Sequence, residues 1–340
     1  MRRATLDQVE HLVVETVEPL PLGPGEVRVA VEACGICGSD LHMYKGRHPV
    51  LRPPLVMGHE FVGRVVDRAP DVPPEAEGRR VVAIAGRGCG TCAACRSGAF
   101  NRCASLKVIG GHIPGGLAEF VTLPWDQFVP VPDAWPAETA ALVEVAAVGV
   151  HTAERYGSVA GRDALVLGAG PIGLVLIRVL KALGAGRVAA ADVNPFRRRM
   201  AHASGADMVY DLSHPEAEAM FRSVWPEGVD AVFDCAGRPE TVVRGLELSA
   251  RGGTVVLTAI FEEDARIPMT VLQRGERRLV GVQMYHREDF DRVIALIESG
   301  RLDLSGLVTH QFSLEETPAA FRLLATPGAE AVKVLVRPGG

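Results

Sequence analysis

The sequence lacks a strong excess of charge of either sign. Its 340 residues carry 36 Lys and Arg against 41 Asp and Glu, a formal net charge of −5. The basic run from Arg197 to Arg199 is short. Proteins that bind nucleic acids usually present a strongly basic surface, and this composition provides none. We therefore predict no nucleic-acid partner.

The sequence also lacks an apolar run long enough to cross a membrane. The longest, ALVLGAGPIGLVLI from Ala164 to Ile177, is interrupted by glycine and proline, and a transmembrane helix needs about 20 apolar residues. Acidic residues break the opening MRRATLDQVEHLVVE before any apolar segment of signal-peptide length. We predict no membrane partner, no export and a cytoplasmic location.

The pattern along the chain predicts an α/β protein with two domains. Residues 25–128 read as strands, with EVRVAVEA, EFVGRVV, RRVVAIA and AEFVTLP as the clearest runs. From residue 163 to 284, six short apolar runs alternate with helical stretches, which is typical of a doubly wound parallel sheet covered on both faces. Two more helices and a final strand, VKVLVRP, follow and can return to the first domain. We place one domain at 1–145 with 285–340 and the other at 146–284.

The second domain contains a glycine-rich loop that predicts a dinucleotide site. GAGPIG, from Gly168 to Gly173, follows the strand ALVL and opens the helix PIGLVLIRVLKAL. In this context the first glycine makes the turn, Gly170 admits the pyrophosphate, and the last allows close packing of helix and strand. Pro171 and Ile172 begin the helix, whose N-terminus attracts phosphate. A plain strand-to-helix turn is the weaker alternative.

An acidic residue at the end of the next strand favours NAD over NADP. Asp192 follows the strand residues AAA nineteen positions after Gly173, where a carboxylate binds the ribose hydroxyls and repels a 2′-phosphate. Arg197 lies close enough to weaken this preference.

Four of the seven cysteines occur within fifteen positions. The spacing C-x2-C-x2-C-x7-C offers four thiolates to a closed tetrahedral zinc, which has no position open for substrate. An iron–sulfur cluster is less favoured, because its bacterial motif ends in C-x3-C-P. The segment 86–105 is therefore predicted to hold a structural zinc through the four cysteines of this motif: Cys89, Cys92, Cys95 and Cys103.

A second candidate metal site combines CGICGSDLHMY with GHEF. Cys37, His59 and Glu60 are a mixed set of sulfur, nitrogen and oxygen donors with room for a substrate oxygen. Cys34 and Cys37 alone also fit a redox pair, although the expected βαβ context is missing. A surface pairing of His59 with Glu60 is the simplest alternative.

Taken together, these motifs resemble the zinc-dependent medium-chain alcohol and polyol dehydrogenase family, especially its sorbitol, threonine and butanediol branches. The resemblance rests on CGICGSDLH, GHE, the four-cysteine lobe, LVEVAAVGVHTA and GAGPIG, and it extends over essentially the whole chain. It implies a GroES-like catalytic domain, a Rossmann NAD-binding domain, two zinc ions per chain, and a homodimer or homotetramer.

The resemblance also implies roles for individual residues. Cys37, His59 and Glu60 bind the catalytic zinc, with Glu144 as a further ligand or a nearby carboxylate. Asp40 hydrogen-bonds the far nitrogen of His59 and so fixes its tautomer. Ser39 and His42 match the family's proton relay through the nicotinamide ribose, and Tyr44 and His48 are candidates for the substrate cleft. His151 and Lys333 lie in family-like segments, HTAER and VKVLV, but helix packing or a solvated edge explains each of them equally well.

The resulting functional prediction is reversible oxidation of a secondary alcohol, a polyol or vicinal diol, to a ketone with hydride transfer to NAD. Two alternatives stay open. One is oxidation of an amino alcohol of the L-threonine type, for which no carboxylate-binding arginine can be selected. The other is a non-catalytic protein that binds NAD and zinc.

Overall fold

The computed structural model describes residues 1–339 and divides the chain into two compact units. Unit 1 comprises Met1–Glu144 with the C-terminal segment from Ser305, and unit 2 comprises Val145–Leu304. Relative to the boundaries expected from sequence, residues 285–304 group with unit 2. The guanidinium of Arg301 donates to the carbonyl of Ala182 at 2.5 Å, and Arg178 donates to the carbonyl of Asp303 at 2.7 Å. These bonds attach this stretch to the parallel-sheet unit.

Unit 1 is rich in β-structure, as the alternating apolar pattern predicts. The strands of unit 1 are β1 Arg2–Gln8, β2 His11–Thr16, β3 Glu26–Gly35, β4 Glu60–Arg68, β5 Arg80–Ala83, β6 Gly86–Arg87, β7 Lys107–Val108, β8 Phe120–Pro124, β9 Phe128–Pro130, β16 Val308–Ser313 and β17 Lys333–Arg337. Seven of them form one sheet with the order β16-β17-β3-β4-β5-β9, in which β8 also pairs with β3, while β1-β2 and β6-β7 form separate two-stranded sheets. The helices of unit 1 are α1 Gly38–Tyr44, α2 Ala93–Arg96, α3 Ala137–Ala141 and α11 Thr317–Ala325, and α4 Val143–Tyr156 begins at its boundary.

The final strand returns to this sheet. β17 pairs antiparallel with β3, joining Leu335 to Gly35 and Val336 to Cys34. The inward-facing residues of β3, Val27, Val29 and Val31, are at most 3% exposed and belong to a single hydrophobic core. The period-2 pattern of β3 therefore reflects one face on this core.

Unit 2 contains a six-stranded, fully parallel sheet. Its strands are β10 Ala164–Leu167, β11 Val188–Ala191, β12 Met208–Tyr210, β13 Val229–Asp234, β14 Ser249–Leu257 and β15 Arg278–Gly281. This confirms the prediction of six parallel strands, and their order, β12-β11-β10-β13-β14-β15, is that of a Rossmann fold. The helices are α5 Pro171–Ala182, α6 Pro195–Ala203, α7 Pro215–Val224, α8 Pro239–Leu248, α9 Met269–Arg274 and α10 Arg287–Glu298.

The central strands of this sheet are buried on both faces, which explains their unbroken apolar sequences. All four residues of β10 and of β11 are buried. Helices cover parallel strands on both sides, so alternation with polar residues is not expected. In the described part of the chain, no helix has both the length and the apolar character needed to cross a bilayer.

Candidate catalytic metal centre and cofactor site

The strand register of unit 1 brings the candidate metal ligands together. Gly35, the last residue of β3, pairs with Glu60, the first residue of β4. Cys37 follows β3 as the N-cap of α1, and His59 directly precedes β4. The donor atoms of Cys37, His59 and Glu60 all lie within 4.8 Å of one another. Two segments separated in sequence thus form one cluster.

Glycines on both sides make this cluster possible. A Cβ atom at Gly35 would lie 2.2 Å from Oε2 of Glu60, so a side chain there would displace the carboxylate. Gly58 has a φ of +94°, and a Cβ at this position would lie 2.5 Å from the Sγ of Cys34. The glycine of the GHE motif is therefore required both by backbone conformation and by space.

Asp40 forms hydrogen bonds with the backbone of both segments of the cluster. It is fully buried; its Oδ2 accepts a hydrogen bond from the Cys37 N–H at 2.8 Å, and its Oδ1 accepts one from the Gly58 N–H at 3.4 Å. The Oδ1 atom lies 3.8 Å from Nδ1 of His59, beyond hydrogen-bond distance, so the hydrogen bond expected between these two side chains is not formed. In this structure Asp40 therefore positions both ligand-bearing segments through their backbone, and it interacts with the His59 ring through its charge.

Lys333 is a residue of this site that sequence reasoning did not identify. A solvated edge was one explanation for it, but the structure buries it to 1% exposure at the start of β17. Its Nζ donates to Oε2 and Oε1 of Glu60 at 2.5 and 2.8 Å and to the carbonyl of Ile36 at 3.2 Å. Residues 60 and 333 are far apart in sequence, so no local pattern indicates this pair.

The electrostatics of the cluster favour positive charge. Burial alone would lower the pKa of His59, but Asp40, Cys37 and Glu144 outweigh it and hold this pKa well above its ordinary value. Burial likewise opposes the charge of Lys333, while Glu60, Cys37 and Glu144 raise its pKa. Glu144, 5% exposed at the start of α4, thus acts on the same cluster. This concentration of negative charge suits a divalent cation.

The donor set fits zinc. It combines a thiolate, an imidazole and carboxylates, the ligand types found in catalytic zinc sites with three protein ligands and one open position. Nδ1 of the His59 side chain, which is 11% exposed, has no hydrogen-bond partner. The Lys333 ammonium binds both oxygens of Glu60.

The predicted relay and cleft residues lie on α1 or directly after it. Ser39 and His42 are both partly exposed and three positions apart, which places them on one face of the helix. His48 accepts hydrogen bonds through Nδ1 from the Val50 and Leu51 N–H groups. Burial, followed by the charge of His42, lowers its pKa.

Tyr44 occupies a different environment from the substrate cleft expected for it. It is 6% exposed, belongs to the hydrophobic core of unit 1, and packs against Phe321 with ring centroids 5.2 Å apart. Tyr44 lies on the face of α1 that turns toward α11, so its ring contributes to packing.

The four-cysteine segment forms a compact lobe. The sulfur atoms of Cys89, Cys92, Cys95 and Cys103 all lie within 4.8 Å of one another. The separation of 4.0 Å between Cys89 and Cys95 is close to the roughly 3.8 Å between thiolates bound to one zinc at 2.3 Å. Hydrogen bonds from Thr91, followed by the backbone N–H groups of Thr91 and Cys92, lower the pKa of Cys89 to about 6. Burial, by contrast, raises the pKa of Cys95 to about 11. The grouping of the four sulfur atoms, with one of them already favoured as a thiolate, fits a closed zinc site.

The glycine-rich loop of unit 2 has the geometry that its motif predicts. Gly168 has a φ of +92°, and a Cβ at Gly173 would lie 1.9 Å from the carbonyl oxygen of Gly168. A Cβ at Gly170 would meet nothing within 4 Å, because this residue faces a cavity. Gly170 is also the N-cap of α5, which begins with Pro171 and Ile172. Open space at a helix N-terminus is what a pyrophosphate group requires.

Asp192 borders the same cavity, which has a volume of about 680 Å³. Its Oδ2 accepts a hydrogen bond from the Ala169 N–H at 2.9 Å, and its Oδ1 accepts one from the Asn194 N–H at 2.8 Å. The Arg197 guanidinium lies 3.9 Å from Oδ2. Sequence reasoning did not identify Arg238 and Arg244, which also line the cavity.

Family comparisons match both units. The alcohol dehydrogenase GroES-like domain matches residues 23–133, and the zinc-binding dehydrogenase family matches residues 171–299. The two matches correspond to the β-rich unit and the parallel-sheet unit. They confirm the predicted fold class.

Three relatives align over most of this chain. An L-idonate 5-dehydrogenase of Vitis vinifera is 33% identical, covering 92% of this chain and 88% of its own. A sorbitol dehydrogenase of Bacillus subtilis is 30% identical, with 99% and 97% covered. An L-threonine 3-dehydrogenase of Chelativorans sp. is 33% identical, with 96% and 95% covered.

A solved structure agrees with these relatives. A chain described as a zinc-binding dehydrogenase of Sinorhizobium meliloti bound to NADP has a TM-score of 0.91 and 32% identity, and 99% of both chains is covered. The protein thus belongs to the zinc-dependent medium-chain alcohol and polyol dehydrogenase family. It is an enzyme that oxidises an alcohol with zinc and a nicotinamide cofactor.

Proposed function

We propose that this enzyme oxidises a secondary hydroxyl group of a polyol or vicinal diol to a ketone, with NAD as its preferred acceptor. The observation that carries this proposal is the Cys37, His59 and Glu60 cluster, whose donor atoms lie within 4.8 Å of one another. When bound, zinc supplies a Lewis acid that polarises the alcohol, and the nicotinamide accepts the hydride.

Residues of unit 1 would hold the metal. Cys37 and His59 supply the thiolate and the imidazole, and a carboxylate from Glu60 or Glu144 completes the set. Lys333 binds both oxygens of Glu60 in this structure, so Glu60 would have to give up part of this contact if it is the ligand. Asp40 keeps Cys37 and His59 in register through its two backbone hydrogen bonds.

Ser39 and His42 would carry the substrate proton. The Ser39 hydroxyl can accept a proton at Oγ while it donates its own, and the His42 imidazole can then pass the proton to water. A histidine suits this step because its ordinary pKa of about 6.5 lies near neutral pH. Both side chains have the partial solvent access that the step needs.

Residues of unit 2 would bind the cofactor. Gly168, Gly170 and Gly173 bring the backbone and the N-terminus of α5 to the pyrophosphate, and Asp192 accepts hydrogen bonds from the ribose hydroxyls. The negative charge of Asp192 disfavours a 2′-phosphate, while Arg197 reduces this discrimination. We accordingly propose a preference for NAD with residual use of NADP.

An L-threonine-type amino alcohol is the second candidate substrate, because a relative named for threonine oxidation aligns over most of the chain. The test is formation of reduced nicotinamide with sorbitol, 2,3-butanediol, L-idonate and L-threonine, each assayed with NAD and with NADP. Higher catalytic efficiency with a polyol, a diol or a sugar acid than with L-threonine supports the proposal. A clear preference for L-threonine or for NADP contradicts it.

We further propose a homodimer or homotetramer in the cytoplasm. The family resemblance suggests the assembly, and seven cysteines without a disulfide in the described chain suit a reducing compartment. Light scattering of the purified enzyme tests the assembly: a monomer at micromolar concentration contradicts it.

A further inference from the structure

A third group of metal-binding side chains lies in unit 2, outside both zinc sites. His151 projects from α4, His286 is the N-cap of α10, and Asp289 lies in the first turn of α10. The nearest donor atoms of these three residues lie within 4.8 Å of one another. His151 and Asp289 are 4% and 2% exposed, and His286 is partly exposed.

The contact between His151 and Asp289 is not a hydrogen bond. Nδ1 of His151 lies 3.0 Å from Oδ2 of Asp289, but this buried nitrogen has no hydrogen-bond partner. A buried polar atom without a partner costs about 1–3 kcal/mol. With the ring proton on Nε2, Nδ1 of His151 offers a lone pair, and a cation would be a shared partner for this nitrogen and for Oδ2 of Asp289.

The positions of Asp289 and His286 support the same interpretation. The backbone N–H of His286 donates to Oδ2 of Asp289 at 2.6 Å, which fixes the carboxylate. The rings of His151 and His286 are 4.7 Å apart between centroids and tilted by 58°, so they are not stacked face to face. Tetrahedral ligands at about 2.1 Å from a metal are roughly 3.4 Å apart, a spacing that the pair formed by His151 and Asp289 nearly has.

We propose that His151, His286 and Asp289 bind a divalent transition metal ion, with Zn²⁺ best suited to these donors, and that this ion joins α4 to the start of α10. Two imidazoles and one carboxylate are borderline ligands that favour zinc over calcium or magnesium. The partial exposure of His286 gives the ion access from solvent and leaves a position for water. This inference is independent of the proposed substrate.

The test is the metal content of the full-length enzyme after equilibration with buffered Zn²⁺. We expect three zinc equivalents per chain for the wild type and two for His151→Gln. His286→Asn is the sharper variant, because asparagine is a good N-cap and preserves the start of α10 while it removes the imidazole. His214→Gln, at an exposed N-cap of α7, is the matched control and should retain three equivalents.

Two further readouts separate this site from the others. In His286→Asn, zinc affinity at the third site should fall at least tenfold with an unchanged circular dichroism spectrum, and dehydrogenase activity should still depend on the Cys37 site. Anomalous diffraction at the zinc edge should give a peak between His151 and Asp289. Only two equivalents in the wild type, or a third one that persists in both variants, overturns the proposal and leaves a histidine–carboxylate ion pair.

Discussion

Lys333 and Glu60 form a buried ion pair beside the candidate catalytic metal site, with Nζ 2.5 and 2.8 Å from the two carboxylate oxygens. Both side chains are 2% exposed. The pairing of β17 with β3 and of β3 with β4 brings them together. Lys333 thereby neutralises one of several negative charges that surround the site.

Removal of Lys333 should destabilise the protein strongly. Lys333→Met leaves Glu60 as an uncompensated buried charge, which costs about 3–5 kcal/mol of unfolding free energy. The double variant Lys333→Met with Glu60→Gln should recover a large part of this loss, as measured by urea denaturation after chelation of metal. Lys107→Met, at an exposed position, is the control. Simple additivity of the two single changes would show that the pair is not coupled.

Replacement of Asp192 should change the cofactor preference. Asp192→Ala removes the ribose-binding carboxylate and its repulsion of a 2′-phosphate, while Arg197, Arg238 and Arg244 remain at the cavity. We expect kcat/KM with NAD to fall by about 10–100-fold, equivalent to roughly 1.4–2.7 kcal/mol. The efficiency with NADP should stay the same or increase. Asp230→Ala, which is outside the cavity, should change neither value, and equal losses with both cofactors would contradict the assignment.

Substitution by alanine should have different effects on stability and cofactor binding at two glycines of the nucleotide loop. Gly173→Ala places a methyl group against the carbonyl of Gly168, so it should lower thermal stability as well as cofactor binding. Gly170→Ala has room for the methyl group and should keep the wild-type melting temperature while it weakens NADH binding, measured by fluorescence titration. Gly281→Ala, also with no atom nearby, serves as the control. Normal NADH affinity in Gly170→Ala would show that the pyrophosphate does not approach this residue.

How well the sequence predicts a feature of this structure depends on how far apart in sequence the interacting residues are. The glycine-rich loop and the four-cysteine lobe are predictable because the residues that form each of them are close in sequence. Their fixed spacing then determines the local geometry. The six strands of unit 2 are equally clear, because burial on both faces produces unbroken apolar runs.

The features that sequence reasoning missed depend on long-range pairing. The contact of Lys333 with Glu60 spans 273 positions, and the contact of His151 with Asp289 depends on how α4 and α10 pack. The sequence predicted Tyr44 to line the substrate cleft, but its ring lies on the inner face of α1 and belongs to the hydrophobic core. No motif specifies which partner a side chain meets across a fold.

Asp163 should stabilise unit 2 in a pH-dependent way. Burial acts to raise its pKa, but hydrogen bonds from Arg187 and from Trp225 outweigh this effect and hold the pKa below its ordinary value. The folded pKa is thus lower than the unfolded one of about 3.9. The stabilisation is complete above the unfolded value and is lost as the pH falls through the folded one.

Asp163→Asn should therefore lower the unfolding free energy at pH 7 by about 1–2 kcal/mol, at the lower end because Arg187 is half exposed. The deficit should shrink between pH 5 and pH 3, as measured by urea denaturation at several pH values. Asp230→Asn, whose carboxylate is 45% exposed, should show little deficit at any pH. A deficit that is constant over this range would mean that lost packing is responsible.

The most direct test of the catalytic assignment compares Cys37→Ala with Cys92→Ser. For each variant, turnover with a polyol and NAD, NADH affinity and bound zinc are measured on the same preparation. Cys37→Ala should lose one zinc equivalent and at least about 10³-fold in kcat, yet bind NADH normally. Cys92→Ser should also lose one equivalent and melt earlier, but the fraction that stays folded should turn over at close to the wild-type rate. Retained turnover in Cys37→Ala, together with an inactive but fully stable Cys92→Ser, would contradict the account.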